Sequence, residues 1–381
     1  MTSFRLAAWI VAGITAPLLA VAACSSSASP ASTASASQQR PFLDRFRYVS
    51  QLASTVPASG DVNPYGVTVV SHSAGKLIKG DVLVSNFNDS SNVQGTGTTI
   101  MQVAPGGAVS EFARIRSLPA SMPCPGGIGL TTALGTLPGG WVVVGSLPTT
   151  NGGALPAHNP LGCLIVLNSS GTPVETWTSP QINGPWDMTV AATGSHASLL
   201  VTNVLSRPAT ATGMPAEAGL CDVTRIDVSL SGGIPKLTGL TVIGAGFPWL
   251  QNKAALIQGP TGDALSPSGT LYVASTLGNS ISAIPDALTR TTAVPAASHV
   301  LTSNGALAGP LGLTWTPAGD LVAVNGNNGN AVEVSTSGKQ LATLTLVRGG
   351  AGDLFGVTPA ANGQGLLFVN DGTNALDLLS G

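Results

Sequence analysis

Three aspartates are placed where they could act together chemically. Asp187, Asp263 and Asp353 lie at, or within three residues of, the anchor of a short motif that recurs along the chain. If separate repeats direct these carboxylates towards a common axis, their oxygens can bind a hard cation such as Ca²⁺, and carboxylates also bind Zn²⁺. Asp at such positions also caps the backbone amides of loops. Two alternatives therefore stay open, a Ca or Zn site and simple capping with no cofactor.

Aromatic side chains precede three of the six anchors, at Tyr65, Trp186 and Phe355. Rings around one mouth of a channel can stack on a ligand, and they also pack neighbouring repeats together. Asn86 and Asn203 follow predicted strands, where Asn forms turns because it tolerates left-handed backbone, although a ligand can use its amide as well. We predict that these five residues form a ligand-binding site.

Short motifs that carry catalysis are missing from the sequence. There is no Gly-x-Ser-x-Gly elbow, no His-Glu-x-x-His pair and no Gly-rich phosphate loop. His72 and His196 fall in predicted turns and His299 in an outer strand, so no two histidines are placed for acid–base work. The sequence therefore predicts no catalytic residue.

The elements that must position these residues are short strands. The 381 residues include 48 Gly and 27 Pro but only 8% charged residues. Helical surfaces rely on Lys, Glu and Arg, so this composition is typical of strands and turns instead. The recurring motif is a Pro or similar residue, any residue, and then Gly or Asp ahead of an apolar strand. Its six anchors are residues 66, 127, 187, 262, 312 and 356.

The anchors are 44 to 75 residues apart, which brackets the length of a propeller blade once insertions are allowed. A second and a third strand follow each anchor. We therefore predict an all-β fold, a six-bladed β-propeller over residues 41–381. Only 25 residues follow Gly356, enough for three strands. An N-terminal strand within residues 47–56 is predicted to complete the last blade, which closes the ring and leaves no open edge.

The last three units resemble NHL repeats, in which a strand leads through a Gly/Asn turn to a closing Asn and an apolar residue two positions later. The closing sequences here are Asn279-Ser280-Ile281, Asn330-Ala331-Val332 and Asn374-Ala375-Leu376. The resemblance implies a propeller but no single function, because this fold hosts binding scaffolds, lactonases and lyases. A lactonase-like metal site would also use a glutamate in the first unit, and Pro64-Tyr65-Gly66 supplies no acid there.

The first residues resemble the leader of a bacterial lipoprotein. An apolar stretch follows Arg5 and ends in Val21-Ala22-Ala23-Cys24, which is similar to a lipobox. We expect residues 1–23 to be a signal peptide, Cys24 to carry a lipid such as palmitate, and residues 24–40 to be a flexible Ser/Ala-rich tether. The protein would then be exported and attached to the cell envelope by its lipid alone, at the outer membrane or the outer face of the plasma membrane.

The remaining cysteines are Cys124, Cys163 and Cys221. An exported protein favours disulfides, so one bridge and one spare thiol are expected. We prefer Cys124 with Cys163, with Cys221 as the alternative partner. Long loops are predicted on this same face in the first three units, at residues 86–98, 146–162 and 203–220, and loops gathered on one face of a repeat protein often mark its binding side.

The charge balance excludes a nucleic-acid protein, because 15 Lys and Arg against 17 Asp and Glu cannot neutralise a phosphate backbone. Taken together, the sequence favours a monomeric, lipid-anchored propeller that binds an envelope protein, a peptide or a glycan and has no catalytic activity. The alternative is a metal-assisted hydrolase or lyase of the lactonase-like kind.

Overall fold

The computed structural model describes residues 40–150, 161–205, 220–252 and 256–381. In these ranges the regular elements are β-strands and three short 3₁₀ helices, at Leu43–Arg45, Ala296–Ser298 and Asp371–Thr373. No helix in this part of the chain has the length and apolar character needed to cross a membrane.

The first thirteen strands comprise an N-terminal strand and three blades of four. They are β1 (Tyr48–Ser54); β2 (Val62–Val69), β3 (Val82–Asn88), β4 (Thr99–Val103) and β5 (Val109–Arg114) of blade 1; β6 (Leu134–Leu137), β7 (Trp141–Ser146), β8 (Cys163–Leu167) and β9 (Pro173–Trp177) of blade 2; and β10 (Pro185–Thr193), β11 (His196–Asn203), β12 (Leu220–Ser229) and β13 (Lys236–Pro248) of blade 3.

A two-stranded hairpin separates these blades from the remaining three. The strands from here onward are β14 (Leu250–Asn252) and β15 (Leu256–Gln258) of the hairpin; β16 (Pro260–Leu265), β17 (Leu271–Ser275), β18 (Ser280–Ile284), the short β19 (Val294–Pro295) and β20 (Val300–Ser303); β21 (Pro310–Trp315), β22 (Leu321–Asn325), β23 (Asn330–Val334) and β24 (Gln340–Thr345); and β25 (Leu354–Pro359), β26 (Leu366–Asn370) and β27 (Ala375–Ser380). Strand β19 pairs in parallel with β13 and so joins the sheet of blade 3.

Six sheets form a closed ring. The first strands of successive blades contact one another from β2 through β6, β10, β16, β21 and β25, and β25 contacts β2 again. Five of the sheets have four strands and the sheet of blade 3 has five. The predicted six-bladed β-propeller is confirmed.

The ring closes through the N-terminal strand. Strand β1 pairs antiparallel with β27, from Tyr48 opposite Ser380 to Ser54 opposite Ala375. It is the outermost strand of the last blade, whose other three strands come from the C-terminus. The prediction that an N-terminal strand completes this blade is therefore confirmed, and the pairing covers an edge that would otherwise be open.

Four of the five anchor glycines lie where the first strands of neighbouring blades approach one another closely. A Cβ atom at any of these glycines would collide with a backbone carbonyl oxygen of the neighbouring blade. The colliding pairs are Gly66 with Thr132, Gly262 with Leu311, Gly312 with Phe355, and Gly356 with Tyr65. The repeated motif therefore reflects close packing at the axis of the propeller. Blade 3 carries Asp187 at its anchor instead.

Blade 2 departs from the predicted repeat. Its first strand, β6, begins at Leu134, well after the predicted anchor Gly127. Gly127 lies in a turn with a positive φ of 74°, and its N–H donates to the carbonyl oxygen of Cys124 at 2.8 Å. The residue that approaches Gly66 of blade 1 is Thr132. The Pro-Gly sequence was thus a turn signal in the loop that enters the blade.

The core lies between neighbouring blades. Leu83, Ile100 and Phe112 of blade 1 form one buried cluster with Val142 and Ile165 of blade 2. Similar clusters fill the spaces farther round the ring. Burial of both faces of these sheets holds the first strands in place, and these strands carry the candidate residues Tyr65, Trp186, Asp187, Asp263 and Phe355.

Candidate active site

A cavity of about 530 Å³ opens at one mouth of the central channel. Gln94, Asn327 and Asp371 line it and belong to the turns between second and third strands, so it lies on the face that carries the long loops. None of the described residues that line it is Lys, Arg or His. A concave, largely apolar site with a few polar groups is the usual form of a small-molecule site.

The three predicted aromatic residues meet in one cluster at the base of this cavity, which we call the aromatic floor (Tyr65, Phe87, Trp186 and Phe355). The ring centroid of Tyr65 is 5.4 Å from that of Trp186, at 80°, and 5.1 Å from that of Phe355. The Trp186 indole N–H donates to the Tyr65 hydroxyl. Tyr65 and Trp186 are only 1% and 4% exposed. The rings therefore pack three blades together and also line the cavity.

Two carboxyl groups lie on the cavity wall, at Asp353 and Asp371. Asp353 precedes β25 and Asp371 follows β26, and these strands pair with Leu354 opposite Asn370. The Asp371 N–H donates to the Asp353 carbonyl oxygen at 2.8 Å. The Asp353 carboxyl lies over Gly372, where a Cβ atom would be 2.9 Å from the Asp353 Cγ atom. Register within a single blade therefore brings the two acids together.

The environment of Asp371 favours its protonated form. Burial, and then the negative charge of Asp353, raises the pKa of Asp371 to about 7. A carboxyl group with this pKa is partly protonated and partly ionised at neutral pH, so it can both donate and accept a proton. The pair can therefore perform general acid–base chemistry on a molecule in the cavity.

Asn63 holds Asp371 in place. With its amide oriented to satisfy its neighbours, the Asn63 nitrogen donates to the Asp371 carboxylate and its oxygen accepts from the Asn88 amide. Asn63 has a positive φ of 63°, and its backbone N–H donates to Asn374 Oδ1 at 2.8 Å. These contacts join blade 1 to blade 6 across the closure of the ring.

Sequence reasoning missed Asn63 and Asp371. Asp371 was not among the predicted site residues, and Asn63 precedes the first motif without matching any pattern. One signal was available. Asp371 directly follows Asn370 at the end of a predicted second strand, where the turn to the third strand begins on the face that carries the long loops. Its partnership with Asp353 depends on strand register, which the sequence alone did not supply.

The other two predicted acids lie together elsewhere. Asp187 and Asp263, from blades 3 and 4, line a second cavity of about 440 Å³ on the far side of the aromatic floor. Burial raises the pKa of Asp187 to about 7. Burial, and then the charge of Asp187, raises the pKa of Asp263 well above its usual range. Two acids thus share one low-dielectric space whose described wall carries neither Lys nor Arg.

The predicted Ca or Zn site does not assemble from its three residues. Asp353 lines the first cavity, whereas Asp187 and Asp263 line the second. Within the described ranges no three side chains of His, Cys, Asp or Glu come together as metal ligands. Blade 1 contributes the phenol of Tyr65, a poor ligand for Ca²⁺, at the corresponding place. The residues do not fit the predicted metal, and we derive no catalytic step through one.

Asn86 and Asn203 serve the blades in the structure. Both are fully buried. The Asn86 amide donates to the Thr55 carbonyl oxygen at 2.8 Å, and the Asn203 amide donates to that of Gln181 at 3.1 Å. Thr55 and Gln181 belong to the segments that enter blades 1 and 3, so each Asn ties the end of a second strand to the entry of its own blade. Neither residue lines the first cavity.

The cysteines are arranged as preferred from the sequence. Cys124 and Cys163 form a disulfide that joins the entry of blade 2 to the start of β8. Cys221 is a free, buried thiol whose pKa is raised by burial. Cys24, the predicted lipidation site, lies outside the described residues, as do parts of the long loops at 151–160 and 206–219.

Comparison with known proteins identifies the fold. No protein-family model matches the chain, and no curated protein matches it either. A gluconolactonase from Xanthomonas campestris has a similar structure, with 15% identity, 88% of this chain and 90% of that chain covered and a TM-score of 0.54. A glucose dehydrogenase-type protein from Thermus thermophilus has 13% identity, 87% and 99% coverage and a TM-score of 0.53. At these identities the likeness shows the fold alone.

The prediction of a scaffold without catalytic activity is contradicted by these comparisons. The similar propellers are described as enzymes, a gluconolactonase and a glucose dehydrogenase. Of the two, the gluconolactonase agrees with the alternative prediction of a hydrolase or lyase, whereas the glucose dehydrogenase belongs to neither class. The sequence argument considered only catalytic motifs along the chain, and such motifs cannot reveal acids that strand pairing brings together, such as Asp353 and Asp371.

Proposed function

We propose that the protein is an enzyme that hydrolyses, or cleaves by elimination, a small uncharged substrate in the first cavity. The observation that carries this proposal is the Asp353–Asp371 pair, with one pKa near 7, on the wall of a cavity with an aromatic floor. The absence of Lys, Arg and His from its described lining disfavours anionic substrates. The similarity to a gluconolactonase supports cyclic esters as the first class to test.

In hydrolysis one carboxyl group acts as the general base and the other as the general acid. The ionised carboxyl accepts a proton from water, and the water oxygen forms a bond to the ester carbonyl carbon. The ring C–O bond then breaks, and the protonated carboxyl donates its proton to the leaving oxygen. The pair ends the cycle with one proton, as it began. We assign Asp371 as the acid, because its pKa is raised, and Asp353 as the base.

Two other features support this chemistry. Asn63 is a positioning residue, since its amide holds the Asp371 carboxyl against the cavity wall. The aromatic floor offers an apolar surface to the carbon skeleton of a substrate and excludes water from below, which strengthens the electrostatic interactions of the pair.

The test is an activity screen with the purified full-length protein. A panel of lactones and simple esters is incubated with the protein, and acid release is followed by titration. We expect turnover of at least one lactone, with kcat/KM lowered about 100-fold or more by Asp371→Asn, the usual contribution of general acid–base catalysis. Asp89→Asn is the matched control, because Asp89 lies on the same face and its carboxylate caps only its own loop, at the Ser91 N–H.

Product analysis separates the two reaction classes, since hydrolysis adds one water to the substrate and elimination adds none. Full activity in Asp371→Asn, with normal folding, would contradict the assignment of the site. Failure to turn over any member of the panel would contradict the proposed substrate class.

We further propose that the enzyme is exported and held at the cell envelope by a lipid on Cys24, with residues 1–23 removed and residues 24–40 as the tether of a monomeric propeller. The support is the similarity of Val21-Ala22-Ala23-Cys24 to a lipobox. Cys24→Ser should shift the protein from the membrane fraction of cells to the soluble fraction. Retention of the variant in the membrane would refute lipid anchoring.

A further inference from the structure

The second cavity has features of a ligand site in its own right. It extends from the aromatic floor to the face opposite the long loops, since β2 gives Asn63 and Tyr65 to the first cavity, and Tyr65 and Thr68 to the second. Five of the six blades place a threonine on its wall. These are Thr68, Thr136, Thr189, Thr314 and Thr358. A ring of hydroxyls around the axis supplies hydrogen-bond acceptors and donors from almost every side.

The two carboxyl groups of this cavity are not equally satisfied. The Asp187 carboxylate accepts hydrogen bonds from the N–H of Met188, at 2.9 Å, and from that of Asp263. The Asp263 carboxyl accepts from the backbone N–H of Thr189, and its Oδ1 accepts from the Thr189 hydroxyl at 3.0 Å. Asp263 Oδ2 has no partner, although the residue is only 5% exposed and lines the cavity. A buried acceptor without a donor is unusual in folded proteins and indicates a missing partner.

The missing partner should carry positive charge. The titratable side chains on the described wall of the cavity are Tyr65, His72, Asp187 and Asp263, and neither Lys nor Arg is among them. Burial raises the pKa of both acids, which is the result expected when carboxyl groups share an apolar space without a counter-ion. A cation between them would supply both the charge and the hydrogen bond that Asp263 lacks.

The shape and lining of the cavity favour an organic cation over a bare ion. A metal ion would find only these two acids on the described wall and would leave most of the 440 Å³ unfilled. The wall also carries apolar side chains, among them Val67, Val190 and Val357, which suit a hydrocarbon chain. A primary ammonium group has three N–H donors, enough for two carboxylates and one threonine hydroxyl.

We infer that the second cavity binds a primary alkylammonium ion, with its ammonium group between Asp187 and Asp263 and its carbon chain along the valine side chains. This site lies apart from the proposed catalytic pair, and the aromatic floor separates the two. The inference does not depend on the proposed reaction, because it rests on the lining of the opposite cavity.

The test is isothermal titration calorimetry on the full-length protein at pH 8, with n-butylammonium chloride and its neutral isostere 1-butanol as probes. We expect one butylammonium ion to bind per chain. The affinity for 1-butanol should be lower by about tenfold or more. Asp263→Asn should weaken butylammonium binding by about tenfold or more, because the neutral amide cannot pair with the ammonium charge. Asp371→Asn, in the first cavity, should leave the affinity within about twofold.

Several outcomes would overturn the inference. Equal binding of 1-butanol would show that apolar contact alone accounts for affinity. Loss of butylammonium binding in Asp371→Asn would place the amine in the first cavity. Binding of one Ca²⁺ or Zn²⁺ per chain that displaces butylammonium would assign the site to a metal. If Asp263→Asn does not fold, as judged by its melting temperature, Asp187→Asn takes its place with the same expected loss.

Discussion

The two carboxyl pairs on either side of the aromatic floor are built in different ways. Asp353 and Asp371 belong to one blade, and the pairing of Leu354 with Asn370 places them side by side at the strand ends. Asp187 and Asp263 come from the first strands of blades 3 and 4, and contact between these neighbouring strands, β10 and β16, brings them together. The first pair depends on strand register within one blade, whereas the second depends on packing between two neighbouring blades.

The surroundings of the pairs differ as well. The first pair has an amide partner in Asn63 and lies in the cavity on the loop-bearing face. The second pair has mainly backbone N–H groups and one threonine hydroxyl, and one of its oxygens has no partner. Each pair thus contains a carboxyl group with a pKa of about 7, and burial is the main cause in both although the hydrogen-bond partners differ.

Removal of Trp186 should break the separation of the two pairs and have the largest effect on stability. Trp186 is 4% exposed, packs on Tyr65 and donates a hydrogen bond to it. We expect Trp186→Ala to lower the free energy of unfolding by about 3–5 kcal/mol, as measured by urea denaturation. Trp186→Phe keeps a ring and should lose only about 1 kcal/mol. A loss below about 1 kcal/mol in Trp186→Ala would show that the floor does not support the fold.

The pH dependence of stability should report the protonation of Asp187 in the second pair. The pKa of Asp187 is about 7 in the folded protein, against a usual value of 3.8. Between these values the folded state binds a proton that the unfolded chain has released, so stability falls as pH rises. This contribution is complete below about pH 4 and is lost as pH rises through about 7. Its size is about 4 kcal/mol at most.

Asp187→Asn should therefore reduce the fall in unfolding free energy between about pH 4 and about pH 8 by the share of Asp187, as measured by urea denaturation at several pH values. The share of Asp371, whose pKa is also about 7, should remain. Asp44→Asn is the control, because Asp44 is exposed and belongs to the N-terminal 3₁₀ helix. If the variant retains the wild-type slope of unfolding free energy against pH, the pKa of Asp187 does not change on folding.

The coupling within the first pair should give the smallest effect. The charge of Asp353 is the second cause, after burial, of the raised pKa of Asp371. Asp353→Asn should therefore lower the pKa of Asp371 below about 7 but leave it above its usual value, since a neighbouring charge is removed while burial remains. Titration of ¹³C-labelled aspartate by NMR measures this directly. No shift would indicate that the two carboxyl groups do not interact, and it would weaken the case for a catalytic pair.

Much of the fold followed from the sequence, and particular residues show why. The anchor glycines at 66, 262, 312 and 356 predicted four blades correctly, because only Gly permits the close approach of neighbouring first strands. The anchor at Gly127 failed, because a Pro-Gly turn in a loop has the same residues as the motif. The N-terminal strand was predicted because the 25 residues after Gly356 suffice for only three strands, so a closed ring of four-stranded blades needs one strand from elsewhere in the chain.

The candidate site was predicted less completely. Tyr65, Trp186 and Phe355 were expected at one channel mouth, and they lie together there because each precedes an anchor. The three aspartates were expected to act as a set, yet the structure divides them between two cavities. Asp187 lies at its anchor and Asp263 directly after one, so both face the second cavity. Asp353 lies three residues before its anchor, on the other side of the aromatic floor.

By itself, the sequence determined the class of fold, the number of blades and the strand that closes the ring, because these follow from local composition and a repeated period. The tertiary structure alone decided which acids become partners. Asp371 acquires Asp353 through strand register, and Asp263 acquires Asp187 through contact between blades. Carboxyl pKa values depend on burial and on charges brought close in space, and neither property is written in the spacing of residues along the chain.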